Sequence, residues 1–247
     1  MTRQLIKISG HELSDMNFLE RFAGFVAQAE GEVIIVHGGG KEISDLQKRF
    51  GIEPDYIDGV RVTDRESLDL VQMVLCGLVN KRMTHMLLKM GVRAIGLSGL
   101  DMRLIEAEKM EHASVDMQFT GQVSGVNADY LEALLVDGFV PVIAPICYNE
   151  LSPMNVNADH VAGALAEALS VDRLVFLSNV AGVLQEGVLI PELSRADISS
   201  LIEQGVIFGG MIPKVMTAIE ALENGSKSVM ITDLEGLIHQ TGSLIKG

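Results

Sequence analysis

The chain has no tryptophan, few aromatic residues and no excess of basic charge. Aromatic side chains make up 4% of the 247 residues, and 33 acidic against 19 basic residues give a formal charge of −14. A negative chain repels nucleic acid and anionic membrane surfaces, while base-stacking platforms and interfacial belts need aromatic rings. These deficits argue against nucleic acid or a membrane as a partner.

Long hydrophobic runs, a signal sequence and paired cysteines are also missing. No apolar run approaches the roughly 18 residues of a membrane span, and the start MTRQLIKISG lacks the apolar core of a signal peptide. Cys76 and Cys147 lie in separate apolar stretches without metal-ligand or redox spacing, which predicts buried, reduced thiols. We therefore expect a cytoplasmic protein.

Two common phosphate-binding signatures do not occur. Neither GxxxxGK[ST] nor GxGxxG is found in the chain, which removes the usual signs of a P-loop enzyme and of a dinucleotide-binding fold. Any phosphate site must therefore be built from other loops.

Short β-rich runs alternate with longer amphipathic helices along the chain. The strand candidates are LIKI, EVIIVH, RAIGLSG, FVPVIAPI, RLVFLSN and SVMITD, and the helix candidates are Met16–Ala29, Asp64–Met90, Asn157–Leu169 and Pro213–Asn224. This alternation predicts an α/β fold whose parallel sheet is covered on both faces. No linker or repeat divides residues 1–247, which favours a single domain. Arg103–Val126 instead predicts a β-hairpin, forming a lid or rim over a site.

Three loops follow predicted strands and carry glycine or small polar residues. They are Lys7–Gly10, His37–Gly40 and Ser178–Gly182. Open α/β sheets bind ligands at the carboxyl ends of their strands, and glycines let a backbone approach a ligand closely. A single loop of this kind is adequately explained as a tight turn, but three at strand ends favour a binding site.

Charged and amide side chains gather near two of the predicted helix starts. Met154–His160 (MNVNADH) precedes one helix, and Gly209–Lys214 (GGMIPK) opens another. One polar residue in the first segment is explained as a helix cap, whereas three suggest ligand and lysine contacts. Lys7 ends an apolar strand, where its cation needs either a negative partner or a route to solvent.

The ordered set KISG, HGGGKE, DGVRVTD, VNKR, MNVNAD, LSNVAGV and GGMIPKV resembles the amino-acid kinase family over nearly the whole chain. The resemblance implies a three-layer αβα sandwich with a central, mainly parallel sheet. It also implies an acceptor-binding and dimerisation lobe at about 1–170, an ATP-binding lobe at about 171–247, and a homodimer. The implied activity is phosphorylation of a side-chain carboxylate by ATP in arginine biosynthesis, with N-acetyl-L-glutamate as the best acceptor.

The resemblance, motif by motif, assigns phosphoryl transfer to two lysines and an aspartate. Lys7 and Lys214 would neutralise the phosphoryl group, and Asp159 would hold both lysines, as fixed cations suit the charge of a transferring phosphoryl group. Mg²⁺ would be held mainly by ATP oxygens and water, without a protein metal site. The nucleotide-binding residues implied are Gly10, Ser178, Asn179, Gly182 and Lys214.

The acceptor would bind to Gly39, Gly40, Arg61 and Asn155. The two glycines would offer backbone N–H donors, and the planar guanidinium of Arg61 suits a carboxylate. Without the family context, Arg61 is better explained by an exposed ion pair with a nearby acid. The candidates for that pair are Asp58, Asp64 and Glu66.

No general base is expected, because a glutamyl carboxylate has a reference pKa of about 4.3 and is already ionised at neutral pH. His37 is therefore expected to order the glycine loop or to lie satisfied in the core. Ser9 stands where the family usually has a second glycine, which predicts a shifted loop or reduced activity.

Two alternatives remain open at this stage. The stretches VNKR and AIGLSGLD look closer to kinases of aminoadipate or glutamate held on an acidic carrier protein. Such an enzyme needs a basic surface, for which Lys81, Arg82 and Arg103 are the local candidates. The other alternative is a non-catalytic nucleotide-sensing or partner-binding protein with the same fold.

Overall fold

One eleven-stranded sheet forms the centre of the molecule. The structure is a computed structural model that describes residues 2–10, 12–57, 59–209, 211–223 and 225–246. Asp58, Gly210 and Asn224, which the sequence analysis named, lie outside the described residues.

The sheet is mixed, with a parallel centre. The strands are β1 (Arg3–Ile8), β2 (Glu32–His37), β3 (Asp55–Ile57), β4 (Val60–Val62), β5 (Ala94–Gly99), β6 (Ile105–Lys109), β7 (Thr120–Val126), β8 (Val140–Cys147), β9 (Met154–Val156), β10 (Arg173–Leu177), β11 (Leu184–Gln185), β12 (Val188–Leu189), β13 (Glu192–Leu193), β14 (Val229–Thr232) and β15 (Ser243–Ile245). Their order is β13-β15-β14-β10-β1-β2-β8-β9-β7-β6, with β5 also paired to β8. The pairs β14–β10, β10–β1, β1–β2, β2–β8 and β5–β8 are parallel. The strands β3–β4 and β11–β12 form two small separate sheets.

Helices cover both faces of the sheet, which confirms the predicted three-layer αβα sandwich. The helices are α1 (Met16–Gln28), α2 (Gly40–Phe50), α3 (Arg65–Gln72), α4 (Asn80–Lys89), α5 (Ala128–Val136), α6 (Ala158–Ala168), α7 (Arg195–Glu203), α8 (Met211–Glu223) and α9 (Leu234–His239). One core contains residues of α1, α2, α3, α4 and α9, and the other contains residues of α5 to α8. Within the described ranges, no helix combines the length and apolar character needed to cross a membrane.

Successive residues of strand β1 face the two opposite cores. Leu5 packs in the core beside α6 and α8, whereas Ile6 and Ile8 pack in the opposite core beside α1. All three side chains are fully buried, because successive residues of a strand point to opposite faces. Lys7 therefore shares the face of Leu5 and points towards the layer of α6 and α8.

Short polar side chains cap several of the helices. Asp15 accepts hydrogen bonds at the start of α1, Asp64 at the start of α3 and Asn157 at the start of α6. Such caps satisfy N–H groups that a helix leaves without intrahelical partners. Helix α8 begins at Met211, two residues before the predicted start at Pro213.

The helix predicted over Asp64–Met90 is interrupted by a π-helical segment, Met73–Val79. The Asn80 N–H donates to the carbonyl of Leu75, five residues earlier, at the end of this segment. Apolar spacing of three and four does not distinguish such a wider turn from an α-helix. Cys76 lies in the segment and is only half-buried, unlike Cys147, so its predicted burial was wrong.

The predicted hairpin within Arg103–Val126 is confirmed as the antiparallel pair β6–β7. It extends the main sheet, because β7 pairs in parallel with β9 and places Thr120 opposite Asn155. β6 also exchanges backbone hydrogen bonds with Tyr148, just after β8. The hairpin is therefore an integral part of the sheet.

Candidate active site

The three glycine and polar loops meet at one edge of the sheet. In register, Lys7 on β1 lies between Val36 on β2 and Phe176 on β10. The loops after these strands are joined by backbone hydrogen bonds, from Ser9 N to the Leu177 carbonyl at 3.0 Å and from Gly38 N to the Ile8 carbonyl at 3.2 Å. The predicted convergence of the three loops is thus observed.

Lys7 is buried and paired with an acid. Its Nζ lies 2.7 Å from Oδ1 of Asp159 in the first turn of α6, and the residue is only 8% exposed. Asn157 caps α6 by accepting from the Asp159 N–H at 2.8 Å, which orients this turn towards β1. The alternative of a snorkelling surface lysine is therefore wrong.

Lys214 shares the electrostatic environment of this pair. It lies near the start of α8 and is half-buried. Burial lowers the pKa of Lys214, the charge of Lys7 lowers it further, and Asp159 opposes the shift. The structure thus groups the two lysines with one aspartate, as the motifs predict.

The first two glycine loops touch through their backbones. A Cβ on Gly10 would lie 2.7 Å from the Gly40 nitrogen and 2.8 Å from the Gly39 nitrogen, so only glycine fits at position 10. A Cβ on Gly39 would lie 2.6 Å from Cδ2 of Leu75, whereas one on Gly40 would meet no atom within 4 Å. Gly40 therefore faces open space at the N-terminus of α2, a position suited to an anion.

Ser9 fits the backbone of the first loop. Among the described residues, the non-glycine positions with positive φ do not include Ser9. A serine there needs no left-handed conformation, and its N–H is held by the Leu177 carbonyl. The departure from the family pattern at Ser9 therefore causes no backbone strain.

His37 orders the glycine loop from a fully buried position. Burial lowers its pKa to about 4, against the smaller opposing effect of a hydrogen bond to Gly38. Neutral His37 donates from Nδ1 to the Gly38 carbonyl at 2.9 Å, and Nε2 accepts from Nδ2 of Asn80 at 3.1 Å. Both roles expected of His37, loop ordering and a satisfied core histidine, are observed together.

Arg61 is a buried cation whose side-chain hydrogen-bond partners within the described residues are neutral. Its guanidinium donates to Gln47, to Oγ of Ser44 at 3.1 Å and to the hydroxyl of Tyr56, and it lies 4.7 Å from the centre of the Tyr56 ring. Burial lowers the pKa of Arg61. The residue is 9% exposed, so an exposed ion pair with Asp64 or Glu66 is wrong. A buried guanidinium in neutral surroundings suits an anionic ligand.

Asn155 belongs to the same polar network as Arg61. Its Nδ2 donates to Oγ1 of Thr63 at 3.0 Å, and Thr120 donates from Oγ1 to the Arg61 carbonyl at 2.7 Å. Oγ1 of Thr120 also lies 3.1 Å from that of Thr63. The two predicted acceptor-binding residues are therefore linked by two threonines.

The third loop, Ser178–Gly182, contains a hydroxyl without a hydrogen-bond partner in the described ranges and a glycine that is closely packed. Ser178 is 2% exposed, and its Oγ has no hydrogen-bond partner within the described ranges. Asn179 is exposed. Gly182 has φ +144°, and a Cβ there would lie 2.9 Å from the nitrogen of Ser243. Packing alone explains the glycine at 182, whereas Ser178 and Asn179 remain available to a ligand.

The basic residues proposed for carrier docking do not form one free patch. Arg82 pairs with Glu42 and donates to a backbone carbonyl, and Arg103 pairs with Glu106 and stacks on a tyrosine. Lys81 donates to the Gly96 carbonyl at 2.9 Å. Acids therefore offset the charges of Arg82 and Arg103, whereas Lys81 keeps its charge because it bonds a neutral carbonyl.

Several residues of the site carried no chemical signal of their own in the sequence. Gln47 and Tyr56 contact Arg61 from α2 and β3, and Asn80 reaches His37 from α4. Only Asn80 belongs to a quoted motif, VNKR. The others are polar residues whose role depends on tertiary contacts.

The resulting edge combines cations with the backbone N–H groups of the glycine loops. Lys7 and Lys214 lie beside the glycine loops, and Arg61 lies in the polar network that runs to Asn155. Fixed cations and N–H groups stabilise the spread negative charge of a transferring phosphoryl group. A guanidinium suits a second anionic group of the acceptor.

Known proteins resemble this chain over nearly its full length. Residues 2–233 match the model of the amino acid kinase family. A protein named acetylglutamate kinase from Chloroflexus aurantiacus is 46% identical over 244 residues, covering 98% of this chain and 96% of that protein. Another of that name from Methanopyrus kandleri is 43% identical over 252 residues, covering 98% and 100%. The crystal structure of smu.665 from Streptococcus mutans UA159 has a TM-score of 0.83 at 29% identity, covering 99% of this chain and 98% of that one.

Proposed function

Because the chain belongs to the amino acid kinase family, we propose that it transfers the γ-phosphoryl group of ATP to the side-chain carboxylate of N-acetyl-L-glutamate. The product is N-acetyl-L-glutamyl 5-phosphate, an intermediate of arginine biosynthesis. The observation that carries the proposal is the grouping of Lys7, Asp159 and Lys214 beside two glycine loops. The acceptor follows from the relatives named acetylglutamate kinase.

The reaction needs an anionic nucleophile and a stabilised phosphoryl group. An oxygen of the ionised acceptor carboxylate forms a bond to the γ-phosphorus, the bond to the β,γ-bridging oxygen breaks, and ADP leaves with that electron pair. Lys7 and Lys214 stabilise the charge on the transferring group, and the N–H groups near Gly39 and Gly40 add further donors. Asp159 holds Lys7 in place.

The acceptor is bound by Arg61 and Asn155. Arg61 is buried, and its hydrogen-bond partners among the described residues are neutral, so a second carboxylate of the acceptor replaces part of its present hydrogen bonding and pairs with its charge. A bidentate guanidinium and carboxylate pair also fixes the direction of the acceptor. Asn155, linked to Arg61 through Thr63 and Thr120, offers its amide beside that pair.

The nucleotide lies on the side of Gly10, Ser178, Asn179 and Lys214. The buried Ser178 hydroxyl lacks a partner among the described residues, which supports a polar ligand at this loop. Gly182, which has no room for a Cβ, lies in the same loop and would bring its backbone to the nucleotide. Mg²⁺ would be held mainly by phosphate oxygens and water and would supply charge neutralisation to the phosphates; Asp159 is already engaged with Lys7.

The proposal includes two lobes and a homodimer in the cytoplasm. Residues of about 1–170 form the acceptor-binding lobe, and β10, β13, β14 and β15 from about 171–247 form the ATP-binding part of the shared sheet. The dimer uses the N-terminal lobe, which is supported by apolar side chains exposed along the π-helical segment and α4. These are Met73, Leu78 and Leu88.

The test is ADP release by the purified protein with Mg²⁺ and ATP, with hydroxylamine trapping the acyl phosphate. We expect hydroxamate with N-acetyl-L-glutamate and much less with glutamate, aspartate or aminoadipate. The matched control is Lys214→Ala, which should lose turnover while keeping its fold. Turnover only with an acceptor on a carrier protein would contradict the proposed acceptor, and nucleotide binding without any turnover would contradict catalysis.

A further inference from the structure

A largely buried ion pair lies next to the loops Lys7–Gly10 and His37–Gly40. Nη1 of Arg82, in the first turn of α4, lies 3.2 Å from Oε1 of Glu42, in the first turn of α2. The side chain of Glu42 is 9% exposed and that of Arg82 is 26% exposed. Removing one partner of such a pair leaves a largely buried charge uncompensated.

The same Arg82 nitrogen joins the two loops. Besides pairing with Glu42, Nη1 donates to the Leu13 carbonyl at 2.9 Å. Leu13 follows the loop that contains Gly10, and Glu42 follows Gly39 and Gly40. The Gly10 backbone already lies against the nitrogens of Gly39 and Gly40. Arg82 adds a second connection, because it links α4 to the C-terminal sides of both loops.

The charge of Glu42 is unfavourable for a phosphate ligand. A carboxylate in the first turn of α2 is stabilised by the helix dipole, but it occupies the same positive end that an approaching phosphate would use. Its Oε2 is buried and has no hydrogen-bond partner within the described residues. Arg82 is the cation that offsets this negative charge.

We propose that Arg82 is a positioning residue for the nucleotide, which fixes the two glycine loops and cancels the charge of Glu42 next to the phosphate-binding edge. This inference rests on the proposed function in assigning nucleotide phosphates to that edge. If it holds, loss of Arg82 weakens nucleotide binding largely because the Glu42 carboxylate is left uncompensated.

A double-mutant cycle tests this claim. The variants are Arg82→Met, Glu42→Gln and the double variant, with Lys89→Met as the control because it removes a cation from the exposed Lys89–Glu20 pair on the same helix. Affinity for the non-hydrolysable analogue AMP-PNP is measured by calorimetry, the KM values for ATP and acceptor by turnover, and stability by thermal unfolding.

We expect Arg82→Met to weaken AMP-PNP binding and to raise the ATP KM by about tenfold, with a clearly smaller rise in the acceptor KM. The double variant should recover most of the AMP-PNP affinity, even if its unfolding temperature stays as low as that of Arg82→Met. Arg82→Lys, which keeps the charge but has a single donor group, should fall between wild type and Arg82→Met. Lys89→Met should match wild type.

Two outcomes would overturn the inference. The first is equal AMP-PNP affinity in Arg82→Met and the double variant, which would remove the role of the Glu42 charge. The second is a loss of stability with equal rises in both KM values, which would make the pair merely structural. Wild-type protein that binds AMP-PNP but does not phosphorylate N-acetyl-L-glutamate would contradict the proposed function alone, and the affinities would still test the pair. Wild-type protein that does not bind AMP-PNP would overturn both.

Discussion

The two sides of the candidate active site differ in how their cations are paired. On the β1–β2 side, Lys7 is paired with Asp159, Arg61 has three neutral acceptors, and Gly10 is packed against neighbouring backbone. On the β10–α8 side, burial and a like charge lower the pKa of Lys214, and Ser178 has a buried hydroxyl without a partner in the described part of the chain.

The difference indicates which part of the site exists before a ligand binds. On the β1–β2 side, Lys7, Arg61 and Gly10 already have protein partners, so these groups are fixed in advance, as catalysis of phosphoryl transfer requires. On the β10–α8 side, the buried Ser178 hydroxyl has no partner among the described residues, and a nucleotide would satisfy it. Removing a paired side chain on the first side should therefore affect stability and activity, whereas substitutions on the second side should affect mainly activity.

The two lysines give the largest expected effect and the most direct comparison. Lys7→Ala and Lys214→Ala should each lower kcat by about 10³-fold, because each removes a fixed cation from the transferring phosphoryl group. Only Lys7→Ala should also destabilise the protein, by about 2 kcal/mol, since it leaves the Asp159 carboxylate without its partner. Steady-state kinetics and thermal unfolding measure the two effects. Equal destabilisation by both variants would remove the distinction between the two sides.

Two glycines test the backbone of the β1–β2 side. Gly10→Ala should cost about 3 kcal/mol, because its Cβ would meet two backbone nitrogens that cannot move independently. Gly40→Ala should keep or slightly raise stability, because its Cβ would enter open space and alanine favours a helix over glycine by about 1 kcal/mol. The matched measurement is urea unfolding together with the ATP KM. We expect Gly40→Ala to raise the ATP KM without loss of stability, and an unaltered KM would show that phosphate does not approach there.

Arg61 tests whether the neutral cluster around it binds the acceptor. Arg61→Lys keeps the charge but loses the planar fork, so the acceptor KM should rise by about 50-fold while the ATP KM stays near its wild-type value. The control is Arg21→Lys in the exposed ion pair with Glu235, which should leave both constants unchanged. A rise in the ATP KM alone would assign Arg61 to the nucleotide instead.

Much of the fold could be predicted because its central strands are continuous apolar runs. β1, β2 and β10 carry this signal clearly, since strands buried on both faces need apolar residues throughout. The small sheets β3–β4 and β11–β12 were not predicted, because strands of two or three residues are too short to show a period. The π-helical segment was missed for a related reason, as its apolar spacing resembles that of an α-helix.

The site was predictable where a residue type conflicts with its local surroundings. A lysine ending the apolar strand β1 and three consecutive glycines after β2 both need an explanation, and Lys7 and Gly39 proved to lie at one edge. Gln47, Tyr56 and Thr120 gave no such signal. Each is an ordinary residue in its own segment and gains its role only when the fold brings it to Arg61 or to the Arg61 backbone.

His37 provides the smallest expected effect, and it concerns stability rather than chemistry. Its pKa in the folded protein, about 4, is below the unfolded value of about 6.5, so below pH 6.5 the unfolded chain binds more protons and stability falls as the pH falls. The contribution is complete above pH 6.5 and decreases by about 2 kcal/mol by pH 5. His37→Gln should be less stable than wild type at pH 7.5, because it disturbs the bonds to Gly38 and Asn80, and the gap should narrow by about that amount at pH 5.

Urea unfolding at several pH values measures this gap, and the exposed His239→Gln serves as the control. If the gap stayed constant with pH, protonation of His37 would not be linked to unfolding, and the pH dependence of stability would have to come from elsewhere. If the gap narrowed while kcat at pH 7.5 stayed near wild type, His37 would stabilise the glycine loop without taking part in phosphoryl transfer. The β1–β2 side would then carry pH-dependent stability, whereas Lys214, whose pKa is lowered by burial and by the charge of Lys7, would lose its charge at a lower pH than an exposed lysine does.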